Sequence, residues 1–378
     1  MATNTLSVYD PIFYAQEALL ALEKNLGMAS LVHRGYDKQP QQRGSVITIK
    51  SPATFSARNA PSSAQDLVAG EVQITLDQWK EVKFELTDKE LSATGEEIIR
   101  DHIRPAAYAL ADDIDQALLK LYKFIPWYHD VASTAAHTDL LSARKILRDN
   151  KVPLHDGNLF AVVDSDMEAD LLGNSAFTQY TGAGDAGVTA QIQGSLGRRF
   201  GMEILASQNI QTHTKGSAST GTLAANGAAA AGATKVNLDA AAVTGTLVAG
   251  DSLVFAGHSQ RYVVTATATA SSNAFTNVGI YPALKEAVAD DEVVTVSLDN
   301  HSAALAFHRH AFVLATAPLS ELGGQLGAKI ATVADPQTGL SLRSRLFYDG
   351  SNSKVIVALD VLYGVKTLEP NRAVRLRN

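Results

Sequence analysis

Apolar and polar residues alternate along Val72–Leu76 and again along Glu81–Leu86. A period of two predicts strands with one face buried and the other wetted. At Thr87 the period changes. Thr87 with Glu90, and Thr94 with Glu97, have capping-box spacing, in which hydroxyl and carboxylate satisfy the free N–H groups of a helix start. Ile99, Ile103, Ala107, Leu110, Ile114, Ala117, Leu121 and Ile125 then recur every three or four residues, one stripe of a helix. A helix from about Glu96 to Phe124 would span roughly 43 Å at 1.5 Å per residue, long for a compact domain. Pro105 falls inside it. Its missing N–H and its ring are expected to kink or interrupt the helix near Asp101.

The rest of the chain divides by the same reading. Residues 10–27 form an amphipathic helix, with Asp10 as N-cap, Pro11 at the first helical position and Gly27 as the stop. Its Phe13, Leu19, Leu22 and Leu26 lack an obvious local partner. Val46–Ile49 is a short alternating strand, and the Pro/Ser/Ala-rich stretch Ser51–Gly70 separates it from Val72, so the two strands form an extended hairpin. Thr138–Asn150 is a helix and Leu159–Val163 a buried strand. Ser165 with Glu168 caps a helix over Met167–Leu172, residues 173–200 read as glycine-rich loop, and Gly201–Leu205 is a strand. From 213 to 300, short β-prone runs (Val243–Val248, Asp251–Phe255, Gln260–Val264, Val293–Val296) recur between turn signals, the pattern of a small all-β barrel or sandwich. Ala224–Ala233 reads as a flexible strap within it. Mixed α/β patterning resumes at Ala303–Leu314, so the β segment is inserted in another domain.

Composition narrows the function. The 378 residues are 46% hydrophobic and 19% charged, a globular balance, and the net charge of −7 does not suit a chain built to grip a phosphate backbone. Without cysteine, disulfides and thiolate metal sites are excluded. The first residues lack signal-peptide features and no apolar run reaches the roughly 18 residues of a membrane span, so a cytoplasmic protein without a membrane is expected. His308 and His310 could share one strand face, but no third ligand is apparent, and partly exposed strand histidines are the simpler reading. Asp112, Asp113 and Asp115 fall on the polar face of the long helix, solvated or between subunits. The turn Asp164–Asp166 offers carboxylates where a nucleotide phosphate would sit, and no nucleophile elbow, P-loop or zincin motif occurs. Arg198, Arg199, Arg372, Arg375 and Arg377 read as surface arginines paired with neighbours. Trp79, between Asp77 and Lys80, is either packed on the body or anchored in a partner. No catalytic, cofactor or metal residues emerge.

The order of these elements resembles the major capsid (coat) proteins of tailed bacteriophages, a fold shared with herpesvirus shells and encapsulins. Asp10–Gly27 looks like the arm helix, Val46–Leu86 like the extended loop, and Phe84–Ser92 like the entry to the spine helix. Gly245–Gly257, continuing to Tyr262, looks like the β-barrel insertion of short-tailed-phage coat proteins. The resemblance implies an α+β phage major-capsid fold with N-arm, extended β-hairpin loop, long spine helix, mixed α/β axial domain and an inserted all-β domain. It places the arm at 1–42, the extended loop at 43–87 and the peripheral domain with spine helix at 88–130. The axial domain takes 131–212 and 301–340, the barrel 213–300, and C-terminal strands at 341–378 return to the peripheral domain.

The implied function is self-assembly, through hexamers and pentamers, into the icosahedral virion shell around packaged double-stranded DNA, made in the host bacterial cytoplasm. A lone hairpin is marginal in water, so the arm should lie across a neighbour, with Phe13, Leu19, Leu22, Trp79 and Phe84 as the intersubunit contacts. Residues 1–40 are too short for a built-in scaffold, so a separate scaffolding protein is expected, with a portal protein and only weak contact with DNA. No cofactor is implied. An encapsulin-like cargo shell, or an α/β enzyme with an accessory β domain, are the alternatives.

Overall fold

The computed structural model describes residues 11–25, 27–34, 46–51, 57, 59–60, 64, 70–179, 185–219, 223–319, 329–334 and 340–378. Asp10 and Leu26 lie outside them, as does most of the stretch 51–69. The chain divides into two compact units, Met1–Asp115 with Val313–Leu368, and Gln116–Phe312 with Glu369–Asn378.

In the first unit the strand Lys354–Thr367 is the spine of a five-stranded sheet. One side pairs antiparallel with Ser341–Asp349, which in turn pairs with Lys329–Ala334. The other side pairs with Gln78–Thr87, from Lys354 opposite Thr87 to Tyr363 opposite Gln78. The alternation over Glu81–Leu86 is therefore that of a sheet strand with one half-buried and one exposed face. The alternation at Val72–Leu76 belongs to a different strand. Gly70–Thr75 pairs with Val46–Ser51 in its own antiparallel hairpin, Val46 opposite Thr75 and Ser51 opposite Gly70. Its root is held by Ile74 and Leu76, fully buried with Val313, Ala315, Ala317 and Leu362. Gly364 makes this approach possible: a Cβ there would lie 2.4 Å from the Thr75 carbonyl oxygen.

Among the described residues, three helices complete the unit: α1 (Pro11–Asn25), α2 (Met28–Leu31) and α3 (Asp88–Leu119). Helix α1 packs on the strands Lys329–Ala334 and Ser341–Asp349. Helix α3 starts directly after Thr87, eight residues before the expected Glu96, and continues as a 3₁₀ turn over Lys120–Phe124. It runs through Pro105 without a break, correcting the expected interruption. Asp101 and Pro105 are both exposed, so water can take the freed Asp101 carbonyl. Buried Ile103, Ala106, Ala107 and Leu110 hold the same stretch in place. Asp115 is likewise not on a solvated face. It is buried, and its carboxylate accepts the N–H groups of Gly27 at 2.7 Å and Ala29 at 3.0 Å, capping α2.

In the second unit a mixed sheet runs in the order Tyr128–Asp130, Ala373–Arg377, His301–His308, Leu159–Val163, Met202–Ala206, Arg198–Arg199. Leu159–Val163 is buried along its whole length, because it is central and covered on both faces. The last strand, Ala373–Arg377, pairs with His301–His308, and so belongs with the second unit instead of the first. Residues from Val313 already belong to the first unit, earlier than the expected boundary at 341. Helices α4 (His137–Asp149) and α5 (Ser165–Gly173) pack on this sheet through Leu140, Leu147, Met167 and Leu171. The cap of α5 is Asp164, whose carboxylate accepts the Met167 N–H at 3.0 Å, and not Ser165. The stretch read as loop contains α6 (Ser175–Thr178) and α7 (Asp185–Gln193). Buried Phe177 and Ala190 anchor these short helices more than any periodicity does.

Between the strands Met202–Ala206 and His301–His308 the chain makes a closed six-stranded barrel. Its strands are Leu223–Ala225, Lys235–Asp239, Ser252–Phe255, Tyr262–Val264, Ala274–Tyr281 and Val293–Ser297. Closure leaves no free edge, and Leu238, Leu253, Phe255, Tyr262, Phe275 and Val278 fill a separate core. The stretch read as a flexible strap contributes the first barrel strand, and Ala229 bridges to Val288.

Replacing Asp115 by Ala removes the acceptor of two N–H groups and leaves the buried one, that of Ala29, unsatisfied. The chain should lose about 1–3 kcal/mol of stability, measured by denaturant unfolding of the unassembled protein. The Asn variant, which keeps one acceptor, should lose less.

Candidate assembly interface

The residues expected at a subunit contact are distributed unequally. Leu19 and Leu22 are buried inside the chain's own fold, where α1 lies on its sheet. Among the described side chains of that helix, the exposed apolar one is Leu20, at 59%. The side chain of Phe13 lies outside the described residues. Trp79 and Phe84 sit on opposite faces of the strand Gln78–Thr87. Phe84 is half-buried and edge-on to His102, with ring centroids 5.7 Å apart. Trp79 is 40% exposed, but its indole N–H donates to Asp360 Oδ2 at 3.0 Å.

That bond belongs to a network across the sheet surface. The fully buried Asp360 accepts Arg343 Nε at 3.0 Å and Nη2 at 2.5 Å, and lies 3.3 Å from Arg345 Nη2. Arg345 also reaches Glu81 at 2.5 Å, and Lys354 reaches Glu85 at 2.5 Å. On the other face Lys80 meets Asp113 at 3.2 Å, and the Tyr363 hydroxyl donates to Asp113 at 2.6 Å. Burial, then the neighbouring Asp113 carboxylate, push the Tyr363 hydroxyl far above its ordinary range. The indole of Trp79 is thus fixed in orientation with its ring presented outward, the preorganised state that favours an anchor residue.

The second unit has a comparable network where the barrel joins its sheet. Arg375, read from the sequence as a surface arginine, is completely buried. Its Nη1 donates to the Gly250 carbonyl at 2.8 Å and its Nη2 to Ser252 Oγ at 2.6 Å. Burial lowers its pKa to about 10. Beside it Asp251 accepts the Val248 N–H at 2.8 Å and His213 Nε2 at 3.0 Å, while His213 Nδ1 lies 3.2 Å from the Tyr122 hydroxyl. With Asp251 accepting, Nε2 carries the proton and Nδ1 accepts from Tyr122. His301 gives its Nδ1 proton to the Asp299 carbonyl at 2.8 Å. Burial, with Arg375 nearby, holds its pKa at about 3. Arg377, also buried, bonds Asp130 and Ser297, and lies 3.6 Å over the Tyr128 ring. Arg261 of the barrel stacks on the same ring at 4.5 Å. Sequence reading missed this anchor because Val374–Arg377 alternates like a half-wetted strand.

The other chemical candidates are occupied. His308 Nε2 donates to Asp156 at 2.7 Å, and its Nδ1 accepts the His310 N–H at 3.2 Å. Among the described residues no group of three could hold a metal ion. Arg198 and Arg199 make no ion pair among the described residues, correcting the expectation that they are neighbour-paired.

A family model for phage capsid proteins matches residues 70–236. No curated protein sequence matches. Among solved structures, the chain resembles one from Mycobacterium phage Che8, at 16% identity and TM-score 0.51, covering 93% of this chain and 90% of that one. A capsid structure of cyanophage P-SCSP1u matches at 11% identity and TM-score 0.47, over 90% of this chain and 84% of that one. The head structure of Helicobacter pylori bacteriophage KHP40 matches at 10% identity and TM-score 0.46, over 100% and 92%. The first likeness shows the fold that this chain shares with that structure.

Truncating Arg375 to Ala should cost about 3 kcal/mol or more, since it strands a buried carbonyl and leaves a cavity. Hydrogen exchange should rise at Gly250–Val264. His301 supplies a pH signature. Folded, it stays neutral down to about pH 3, whereas unfolded it protonates near 6.5. The unfolded state therefore binds the extra proton, and stability falls as pH drops through that window. In the His301→Phe variant, the unfolding midpoint should fall less steeply between those pH values than in the wild type.

Proposed function

We propose that the chain is a phage capsid protein, the structural subunit of a virion shell, and that it assembles as hexamers and pentamers into an icosahedral head around packaged double-stranded DNA. The observation that carries this reading is the family match over 70–236, set within a capsid fold that covers 93% of the chain. The hairpin Val46–Thr75 supports it, since a two-stranded ribbon gains stability by lying on another subunit. Trp79 and Phe84 are its contact residues on the strand that follows. Leu19 and Leu22 serve indirectly, holding α1 so that Leu20 faces outward.

DNA is confined without tight binding, consistent with a net charge of −7. A separate scaffolding protein guides assembly, a portal protein occupies one vertex, and shells form in the bacterial cytoplasm before DNA enters. The phage family match does not favour a cargo shell of the encapsulin type.

Electron microscopy tests the proposal directly. The purified chain, expressed in bacteria with and without its scaffolding protein, should form closed shells with sixfold and fivefold capsomers. A discrete small oligomer under both conditions would sink it.

A further inference from the structure

One edge of the second unit's sheet carries both signs of charge, largely uncompensated. The edge strand is Arg198–Arg199, paired only with Met202 and Glu203. Arg144 of α4 lies over the turn that follows, bonded to the Phe200 carbonyl. Phe200 and Gly201 have left-handed φ values of 50° and 77°, and a Cβ on Gly201 would collide with the Arg144 guanidinium. Arg199 reaches only the Phe177 carbonyl, at 3.4 Å, and its buried Nε has no partner. Arg198 is exposed and packs against Gly157.

Next to these cations is a cleft of about 430 Å³, lined by Glu168, Ser195, Leu196 and Glu203 among others. Among the described residues, none of Arg144, Arg198, Arg199, Glu168 and Glu203 forms an ion pair, although Arg198 and Glu203 are in register across the two strands. Beside the cleft, α7 exposes Val188 (38%) and Ile192 (76%) one helical turn apart, and its last residue, Gln193, lines the cleft.

We propose that this edge is a subunit contact in which Arg198 and its neighbouring arginines on one copy enter the Glu168–Glu203 cleft of the next copy, with Val188 and Ile192 as the apolar part of the seam. The mixture of signs decides the partner. A polyanion such as nucleic acid would meet Glu168 and Glu203 as soon as it met the arginines. A second copy brings a carboxylate for each guanidinium and a guanidinium for each carboxylate. Here the contact runs head to tail, the arginines of one copy against the carboxylates of the next, so it is heterologous, and within the capsomers of the proposed shell its rotation closes into a ring. Unpaired arginines in the separate chain become forked, charge-assisted bonds in the ring.

The inference rests on the shell reading and is tested separately from it. In full-length chain, Arg198→Glu and Glu168→Lys should each lower shell yield about tenfold through like-charge contact, with the unfolding midpoint of the unassembled chain unchanged. The double variant should restore the yield. The absence of cysteine allows a second test. Lys145 is exposed on α4 next to Arg144, and Lys145→Cys with Ser195→Cys, treated with a short bis-maleimide, should give a ladder of covalent oligomers ending at a closed ring. Normal shell yield in either charge variant, failure of the double variant to recover, or cross-links only within one chain or only to dimers would overturn it. Normal shells that lose only their DNA would assign the arginines to nucleic acid and also overturn it. In each of these cases wild-type shells would leave the proposed function standing.

Discussion

The ladder between Lys354–Thr367 and Gln78–Thr87 is the constraint on which the first unit depends. Its register runs without a slip from Lys354 opposite Thr87 to Tyr363 opposite Gln78. A one-residue shift would exchange every side chain between faces, removing Trp79 from Asp360 and Lys80 from Asp113. The ladder also sets what flanks it in the chain. Upstream, Leu76 and Asp77 separate the strand from the hairpin at Val46–Thr75. Downstream, α3 begins at the next residue, Asp88. The hairpin and helix α3 thus flank one and the same sheet strand in the chain. The side chains confirm the register instead of creating it: Asp360, Arg343, Arg345 and Glu81 can form their network only when the strands are already aligned.

Much of this was legible in the sequence because it is local. Period-two alternation marked Glu81–Leu86, period 3.6 marked α3, and evenly spaced β-prone runs marked the barrel. What was not legible depends on contacts distant in the chain. Val72–Leu86 looks like one strand, and its division into two is imposed by different partners, Val46–Ser51 and Lys354–Tyr363. Asp115 looked solvated on a helical wheel, because its partners are the N–H groups of Gly27 and Ala29, more than eighty residues earlier. Pro105 looked like a break, but the cost of one lost hydrogen bond is small where the freed carbonyl faces water. Arg375 and Arg377 looked like surface charge because only tertiary structure places a barrel over one face of their strand. The contact residues divide in the same way. Trp79 was recognisable as an aromatic between charges, but no local pattern says that Leu19 and Leu22 are used internally.

The barrel and its attachment show two kinds of stabilisation with different uses. The barrel core is apolar and closed, so its stability needs little from outside. Its junction is polar and buried: Arg375, Asp251, His213, Tyr122 and His301 each satisfy a directional bond. Buried polar groups of this kind add little net stability over an apolar substitute. They penalise any other docking of the barrel, since a shifted arrangement would strand a guanidinium, a carboxylate or a backbone carbonyl. An apolar junction would tolerate sliding, and a barrel free to slide would present its outer face in more than one orientation. The neutral state of His301 belongs to the same logic. A second cation beside Arg375 and Arg377 would repel both, so burial keeps the imidazole uncharged and leaves the two arginines to their partners. Orientation, more than binding strength, is what this junction supplies.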